Sequence, residues 1–250
     1  STTQPLPKKP PTTNTQTTLC PNSRDNIPWG DHMHSPKVET TTRIYSINVN
    51  GIGTTTGPQG SVYDKTAFAQ LHQQILSHEI DILGISEPNL YRPMHDTASA
   101  AQSQLERGSR GSRLITSCSP LLPNTRSIYQ PGGTAMIVNE ATLSARIDTI
   151  HRDTMGRWCG TTLRGRGGRT LLILQMYQVP QHSAAGDSTA FAQQRSLLRQ
   201  QNRTITPREA FIIDLKSLLT QIRTTQPNIA FLLMGDINDN ILRNQSKFGR

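Results

Sequence analysis

The stretch NIAFLLMGDINDN, residues 228–240, decides how the rest of the chain is interpreted. Its apolar run, residues 229–234, is short and lies between a proline and Gly235, which predicts a buried strand. A glycine lets the chain turn sharply where a strand leaves its sheet. Asp236 and Asn238 then follow at the carboxyl end of the strand, which is where α/β proteins place their ligands.

Asp236 and Asn238 are candidate functional residues because of their chemistry and spacing. Side chains two residues apart on extended backbone point to the same face. A carboxylate holds a cation or a proton, and an amide holds a phosphate oxygen or orients a water. The structural alternative is an Asx turn that closes a core strand.

The composition indicates a folded domain preceded by a polar segment. Of the 250 residues, 34% are apolar and 5% are aromatic, which is low for a chain that is globular throughout. Residues 1–42 are rich in Thr and Pro and bury too little apolar surface to fold, so we expect them to be disordered. Residues 43–250 are expected to form the folded domain.

The net charge indicates which class of molecule the protein binds, and the cysteines indicate the cellular compartment. The formal net charge is +9, and a basic surface favours polyanions such as nucleic acid, although basic residues also simply keep proteins soluble. Three cysteines without a CxxC spacing argue against a disulfide scaffold or a zinc–cysteine site and suit a reducing, intracellular compartment. No apolar stretch approaches the ~18 residues of a membrane span.

Three further predicted strands also end in polar side chains. Asn48 and Asn50 follow the run that begins at Ile44, Glu87 follows residues 80–86, and Tyr177 closes an apolar run. With Asp236, two strands each supply one carboxylate, and Mg²⁺ commonly takes one or two carboxylates together with waters and phosphate oxygens. Such an ion polarises a phosphoryl oxygen, while Asp236 orients or deprotonates a water and Asn238 fixes its position.

The remaining elements predict an α/β fold with antiparallel hairpins mixed in. Apolar spacing predicts helices over residues 64–78 and 190–202, and Thr206 begins a capping box that opens the most regular helix. Residues 51–60 are expected to be an irregular glycine loop and residues 91–131 a loosely structured region. The predicted hairpin of residues 157–177 carries a basic turn, residues 164–169, which either grips phosphate or is a solvated loop tip.

Taken together, the motifs resemble the endonuclease/exonuclease/phosphatase superfamily, and most closely the endonuclease domains of non-LTR retrotransposons. The matching motifs, in chain order, are Asn48-x-Asn50-Gly51, Ser86-Glu87, Gly133-Thr134-Ala135, Tyr177 with Pro180, and Gly235-Asp236-x-Asn238. The resemblance covers residues 43–240 and implies a four-layer sandwich of two packed mixed β-sheets flanked by helices.

The resemblance also implies roles for the individual residues. Glu87 and Asn50 would hold Mg²⁺, for which Mn²⁺ is a possible substitute, and Asn48 and Asn50 would support the metal and the phosphate. Tyr177 would contact the phosphate or the surrounding network, Asp236 would activate the water, and Asn238 would hold the phosphate. The partner would be DNA, and the chain would be a monomer or part of a larger polyprotein with reverse transcriptase, nuclear in location.

The sequence departs from the family in three places. After Tyr177 many members have a proline sooner and then an asparagine, whereas here Pro180 comes later and Gln181 follows it. Asn50 stands where many members carry Asp, which removes one possible metal carboxylate. The family's Ser-Asp strand and terminal Asp-His pair are not found before Arg250, and His182 does not lie in a matching context. We therefore expect a C-terminally truncated domain that is inactive or weakly active. The alternatives are a phosphatase or phosphodiesterase for a small phosphate ester and a non-catalytic nucleic-acid-binding remnant.

Overall fold

Two four-stranded sheets form the framework of the protein. The structure, a computed structural model, describes residues 35–52, 54–57, 60–63, 65–89, 94–120, 130–180 and 189–239. Most of the segment expected to be disordered, residues 1–42, and His182 lie outside these residues. Among the described residues, no helix is long and apolar enough to cross a membrane.

Within the described residues the chain forms ten strands and five α-helices. The strands are β1 (Ile44–Asn48), β2 (Thr54–Gly57), β3 (Gly60–Tyr63), β4 (Ile82–Ser86), β5 (Arg113–Ser117), β6 (Thr134–Val138), β7 (Ile147–Arg152), β8 (Trp158–Arg164), β9 (Thr170–Tyr177) and β10 (Ala230–Asp236). The helices are α1 (Lys65–Ser77), α2 (Met94–Gly108), α3 (Ala141–Ser144), α4 (Ala190–Gln200) and α5 (Pro207–Thr225).

Both large sheets are mixed, and each contains one parallel pair. The first sheet has the order β1-β4-β6-β5 with β1 parallel to β4, and the second has the order β10-β9-β8-β7 with β10 parallel to β9. The other neighbours in both sheets are antiparallel. Because parallel strands end at the same edge, the parallel pairs gather the carboxyl ends of four strands.

Side-chain alternation divides the core into layers. Ile82 and Met136 of the first sheet pack with Cys159 and Ile173 of the second, so the sheets face each other. The opposite face of the first sheet packs against α1 and α2, and that of the second packs against α5. The order helix, sheet, sheet, helix confirms the predicted four-layer sandwich.

Helix α5 begins as the sequence predicts. The Thr206 hydroxyl accepts a hydrogen bond from the Glu209 backbone N–H, and the Glu209 carboxylate accepts one from the Thr206 backbone N–H. These reciprocal bonds satisfy two N–H groups that a helix start leaves unpaired. Phe211 and Leu215 on its inner face then anchor the helix against the second sheet.

Two expectations about local structure are wrong, and one strand was not predicted. The glycine-rich residues 51–60 contain β2 and the start of β3, which pair as an antiparallel hairpin and so satisfy each other's backbone groups. The region expected to be loosely structured contains α2. This helix was not predicted because its composition is mostly polar, although Ala101 and Leu105 are buried on one face. Strand β7 also escaped prediction, because its residues are mostly exposed and show no clear apolar pattern.

Strand β10 differs from its prediction in burial. Residues Phe231 to Met234 are only half-buried, and Ala230 and Gly235 are exposed. The reason is its position, since among the described strands β10 pairs only with β9 and forms the edge of its sheet. An apolar sequence run thus predicted the strand correctly but not its place in the sheet.

Candidate active site

The loops that follow β1 and β4 run side by side at one edge of the first sheet. The backbone N–H of Val49 donates to the Ser86 carbonyl at 3.2 Å, and that of Gly51 donates to the Glu87 carbonyl at 2.7 Å. Ile52 continues the pairing with a bond to the Pro88 carbonyl. The parallel pair therefore extends beyond its strands and holds Asn48 beside Glu87.

The second sheet brings Asp236 to the same edge. Tyr177 and Asp236 are register partners at the ends of the parallel strands β9 and β10. The Gln178 N–H donates to the Asp236 carbonyl at 2.9 Å, and the Asn238 side-chain amide donates to the Gln178 carbonyl at 2.8 Å. These bonds tie the two strand ends together where they leave the sheet.

Asn48 joins the two sheets at this edge. Its Nδ2 donates to Glu87 Oε1 at 3.1 Å and to Asp236 Oδ2 at 2.8 Å. An amide nitrogen carries two hydrogens, so it can serve one carboxylate with each. Asn48, Glu87 and Asp236 together form what we call the cluster. Asn48 is exposed and both carboxylates are half-buried, so the cluster is open to solvent. The convergence expected from the strand ends is present, with two carboxylates on a single amide.

Asn50 and Asn238 adopt the same turn at the two strand ends. Asn48 Oδ1 accepts the Asn50 N–H at 2.9 Å, and Asp236 Oδ1 accepts the Asn238 N–H at 3.0 Å. Both asparagines have a φ of 45°, which is left-handed. The expectation that Asp236 and Asn238 face the same way on extended backbone is therefore wrong, because the Asx turn reverses the chain between them.

The backbone near Glu87 is strained. Glu87 has a φ of 52° and Asn89 a φ of 48°, and a left-handed conformation costs a residue such as Glu about 1–3 kcal/mol. The surrounding contacts hold it there, since Glu87 N–H donates to the Gly133 carbonyl at 3.1 Å and Asn89 Oδ1 accepts the Gly132 N–H at 2.6 Å. Strain that neighbouring contacts enforce is typical of functional loops.

Tyr177 borders the cluster but is buried, with 4% of its surface exposed. A Cβ atom added to Gly132 would lie 3.1 Å from Tyr177 Cε1, so the glycine makes room for the ring. The Tyr177 N–H donates to the Arg157 carbonyl at 2.8 Å. Its position suits a residue that lines and orients the site, and its proposed contact with phosphate stays a prediction.

A buried polar network supports the cluster from between the sheets. Ser86 Oγ donates to the Met176 carbonyl at 2.9 Å and accepts bonds from Gln175 Nε2 at 2.8 Å and the Asp236 N–H at 3.3 Å. Ser46 Oγ completes it with a bond to Gln175 Oε1 at 3.0 Å. Ser86 and Gln175 are both fully buried. The hydroxyl of Ser86 thus connects the strand before Glu87 to the backbone of Asp236.

Arg208, in the first turn of α5, forms hydrogen bonds with the segments that follow β9 and β10. Its Nη1 donates to the Val179 carbonyl at 2.8 Å and to the Asn238 carbonyl at 3.1 Å, and Nη2 lies 3.7 Å from an Asp239 carboxylate oxygen. One guanidinium therefore bridges the segments after β9 and β10. This fixes the turn that contains Asn238.

A second charged network lies next to Tyr177. Arg157, which is 4% exposed, bonds Asp153 through Nε at 2.8 Å and Asp214 through Nη1 at 2.8 Å, while Arg203 bonds the same Asp214. Burial favours a lower pKa for Arg157, but the two aspartates outweigh it and raise the pKa. Burial likewise favours a higher pKa for Asp214, but the two arginines outweigh it and lower the pKa. This network keeps its charges fixed beside the site.

The residues present fit a hard cation bound through few protein ligands. Glu87 and Asp236 provide carboxylate oxygens on neighbouring strand ends, and Mg²⁺ is commonly held by one or two carboxylates plus waters. Among the described residues, no group of three or more His, Cys, Asp or Glu side chains is placed to hold a metal. Asn50 contributes a backbone N–H to its turn, and its role as a ligand stays a prediction.

The sequence reasoning missed the supporting residues Gln175, Arg208 and Arg157. A usable signal existed for Gln175, because it is a polar residue inside the apolar run of β9, as Ser46 and Ser86 are in β1 and β4. A buried polar side chain in such a run needs a partner, and these three satisfy one another. Arg208 gave no such signal, since an arginine in the first turn of a helix is ordinarily exposed.

Comparison with known proteins identifies the fold. An apurinic endonuclease from Leishmania major superposes with a TM-score of 0.50 at 15% identity, over 82% of this chain and 60% of that one. An apurinic endonuclease from Archaeoglobus fulgidus gives 0.43 at 14% identity, covering 80% and 60%, and the human nocturnin catalytic domain gives 0.44 at 17%, covering 77% and 64%. No family model and no curated protein matches the sequence. The chain spans about three fifths of the length of these structures.

Proposed function

We propose that this chain, which has the fold of the endonuclease/exonuclease/phosphatase superfamily, hydrolyses phosphodiester bonds in DNA weakly and with the help of Mg²⁺. One observation carries the proposal: a single amide, Asn48 Nδ2, contacts a carboxylate from each of the two sheets, Glu87 and Asp236. Asp236 caps its own turn with Oδ1, but Asp236 Oδ2 and Glu87 Oε1 accept hydrogen bonds from Asn48 instead, so capping alone does not explain the pair of carboxylates.

Each residue of the cluster has a different proposed role in hydrolysis. Asp236 uses Oδ1 to hold its own turn, so Oδ2, the oxygen that faces Asn48, is the one placed to orient a water and accept its proton. Glu87 presents its carboxylate from left-handed backbone that a hydrogen bond to the Gly133 carbonyl holds in place. Asn48 moderates the repulsion between the two carboxylates by donating to both.

Asn238 and the cation complete the assignment. The Asn238 amide uses one N–H for the Gln178 carbonyl, which leaves its second N–H for a phosphate oxygen. Glu87 would hold Mg²⁺ together with waters and phosphate oxygens, and the ion would supply polarisation of the phosphoryl oxygen and stabilisation of the leaving oxygen. Arg208 keeps Asn238 in position through the backbone.

The finer assignment rests on the sequence motifs. Their resemblance to the endonuclease domains of non-LTR retrotransposons supports a DNA-nicking role within a larger polyprotein that includes reverse transcriptase, acting in the nucleus. The net charge of +9 supports a nucleic-acid substrate, because it favours association with a polyanion.

A nicking assay tests the proposal. The chain is incubated with supercoiled plasmid and Mg²⁺, Mn²⁺ or EDTA, alongside Glu87→Gln and Asp236→Asn. Each substitution removes one carboxylate charge and keeps the shape, and we expect a loss of about 10²–10³-fold or more, as for other preorganised electrostatic groups. Glu106→Gln on α2 is the matched control, because Glu106 is an exposed carboxylate outside the cluster.

Each other outcome points to a different conclusion. Hydrolysis of p-nitrophenyl phosphate, or of the diester bis(p-nitrophenyl) phosphate, that is lost in both variants but occurs without plasmid nicking would identify a phosphatase or a small-ester phosphodiesterase, respectively. DNA binding without cleavage under every metal condition would identify a non-catalytic binding module. Nicking that survives both variants would place the reaction elsewhere and overturn the assignment of the site.

A further inference from the structure

The turn between β8 and β9 is a basic surface that the proposed active site does not use. Its arginines, Arg164, Arg166 and Arg169, are all exposed, and Arg146 joins them because its carbonyl accepts the Arg164 N–H at 2.9 Å. We call these four residues the distal basic surface. Only Arg164 has an acidic neighbour among the described residues, Asp148 at 3.5 Å, so four guanidinium groups face one carboxylate.

The distal basic surface lies far from the proposed active site. Strand β9 starts at Thr170, next to the turn, and ends at Tyr177, next to Asp236. Seven residue steps at about 3.3 Å each separate these ends by about 23 Å. The two sites therefore lie at opposite ends of the same sheet.

The backbone of the turn is accessible to a ligand, in addition to being flanked by positively charged side chains. Gly167 and Gly168 have φ values of 64° and 73°, and no atom lies within 4 Å of the place where either would carry a Cβ. The Gly165 N–H donates to the Arg169 carbonyl at 2.7 Å, which closes the base of the turn and keeps its arginines together. The tip is thus bare backbone flanked by arginines, and nothing in the described structure covers it.

Arginine is suited to phosphate rather than to anions in general. Its planar guanidinium forms paired hydrogen bonds with two phosphate oxygens, and it is more weakly hydrated than an ammonium group. The three closely spaced arginines of the turn match a ligand with repeated phosphates along a chain. The glycines serve the geometry of the turn, and the exposed arginines grouped around it are the observation that favours phosphate binding over a purely solubilising surface.

We propose that the distal basic surface is a second nucleic-acid-binding site, which grips the phosphate backbone of a segment other than the one at the active site. The protein then holds two segments at once, one at each end of the second sheet. This inference does not require the active site to cut, because it concerns binding at different residues.

The first test measures how the affinity depends on salt. Fluorescence anisotropy is recorded with labelled duplex DNA, single-stranded DNA and single-stranded RNA for the wild-type chain and for Arg166→Gln/Arg169→Gln. Removing one phosphate contact lowers the slope of log K against log salt by about 0.9 for duplex and about 0.7 for single strands. We therefore expect the double substitution to decrease the slope by about 1.8 or about 1.4, and the probe that shows the decrease identifies the bound strand.

Three controls accompany this measurement. Arg166→Lys/Arg169→Lys keeps the charge, so we expect it to retain most of the slope while binding more weakly. Arg107→Gln/Lys216→Gln removes two exposed charges from α2 and α5 and should leave the slope at this site unchanged. Thermal unfolding confirms that every variant is folded, which we expect because the substituted side chains are exposed.

The second test asks whether two segments are held together. Immobilised duplex should capture a labelled second segment through the wild-type protein but not through Arg166→Gln/Arg169→Gln, with sedimentation confirming that the protein is a monomer in the assay. An unchanged salt slope for all three probes, or capture that survives the substitution, would overturn the proposal. Loss of binding to anionic vesicles with unchanged nucleic-acid binding would overturn it in favour of a membrane surface.

Discussion

Replacing Ser86 with alanine tests whether the polar network between the sheets positions Asp236. The hydroxyl makes two hydrogen bonds of ordinary length, to the Met176 carbonyl and from Gln175 Nε2, and a longer one from the Asp236 N–H. Ser86→Ala removes all three and leaves the buried amide of Gln175 without a partner at that nitrogen. Counting about 1 kcal/mol for each of the two bonds of ordinary length and about 1 kcal/mol, the low end of the range, for the unpaired buried amide, we expect a loss of about 3 kcal/mol.

Urea and thermal unfolding measure this loss. For a domain of this size, about 3 kcal/mol corresponds to a decrease in Tm of roughly 6–12 °C. Nicking activity should fall as well, because the Asp236 backbone is then without one of the groups that fix it. Replacing both partners, in Ser86→Ala/Gln175→Leu, should restore part of the stability, since no buried amide is then left unpaired.

Ser112→Ala separates the effect on stability from the effect on the site. Ser112 is also buried, and its hydroxyl donates to the Asn139 carbonyl at 2.8 Å at the other end of the first sheet. We expect its removal to lower stability by about 1–2 kcal/mol without changing nicking beyond that. The reasoning fails if Ser86→Ala is as stable as the wild type, or if its activity falls no further than that of Ser112→Ala.

Three other predictions concern titratable groups. Burial favours a higher pKa for Asp214, but its two arginine partners outweigh burial and lower the pKa. Asp214 should therefore stabilise the fold fully above the ordinary carboxyl pKa, and its contribution should vanish as the pH falls through the lowered pKa. The difference in the free energy of unfolding between wild type and Asp214→Asn, measured in urea, should accordingly disappear in acid. Burial lowers the pKa of His151, so stability should rise as the pH increases from that lowered value to the ordinary value of about 6.5, and His151→Gln should remove this rise. Burial raises the pKa of Cys159 to about 12, so mass spectrometry after brief iodoacetamide treatment of the folded protein should find Cys118 modified and Cys159 intact.

The features that the sequence predicted correctly are those that local chemistry determines. The capping box at Thr206 satisfies its own backbone groups within four residues, so it forms wherever the helix forms. The strands that end at Asn48, Glu87 and Asp236 were visible as apolar runs followed by polar residues. Parallel pairing places the end of β1 beside that of β4 and the end of β9 beside that of β10, but the meeting of these two pairs depends on how the sheets pack together.

The features that escaped prediction depend on distant partners. The burial of β10 depends on whether a strand lies on each side of it, which the residues of β10 do not encode. Asn238 was expected on extended backbone, but the carboxylate of Asp236 offers its N–H a closer partner and turns the chain. The bond between Ser86 and Gln175 joins residues 89 positions apart, and a pattern confined to one segment does not show it.

The distance along the sequence between the residues of the site determines when the site forms during folding. Asn48 and Asp236 are 188 residues apart in the chain, and Ser86 and Asp236 are 150 apart. Pairs this distant come together late, because the entropy of closing a long loop is given up before the interaction stabilises anything. A chain that has formed only one sheet therefore has no paired carboxylates and no amide between them. During refolding, recovery of a signal from this cluster should lag behind the formation of secondary structure, so the cluster marks the moment at which both sheets have docked.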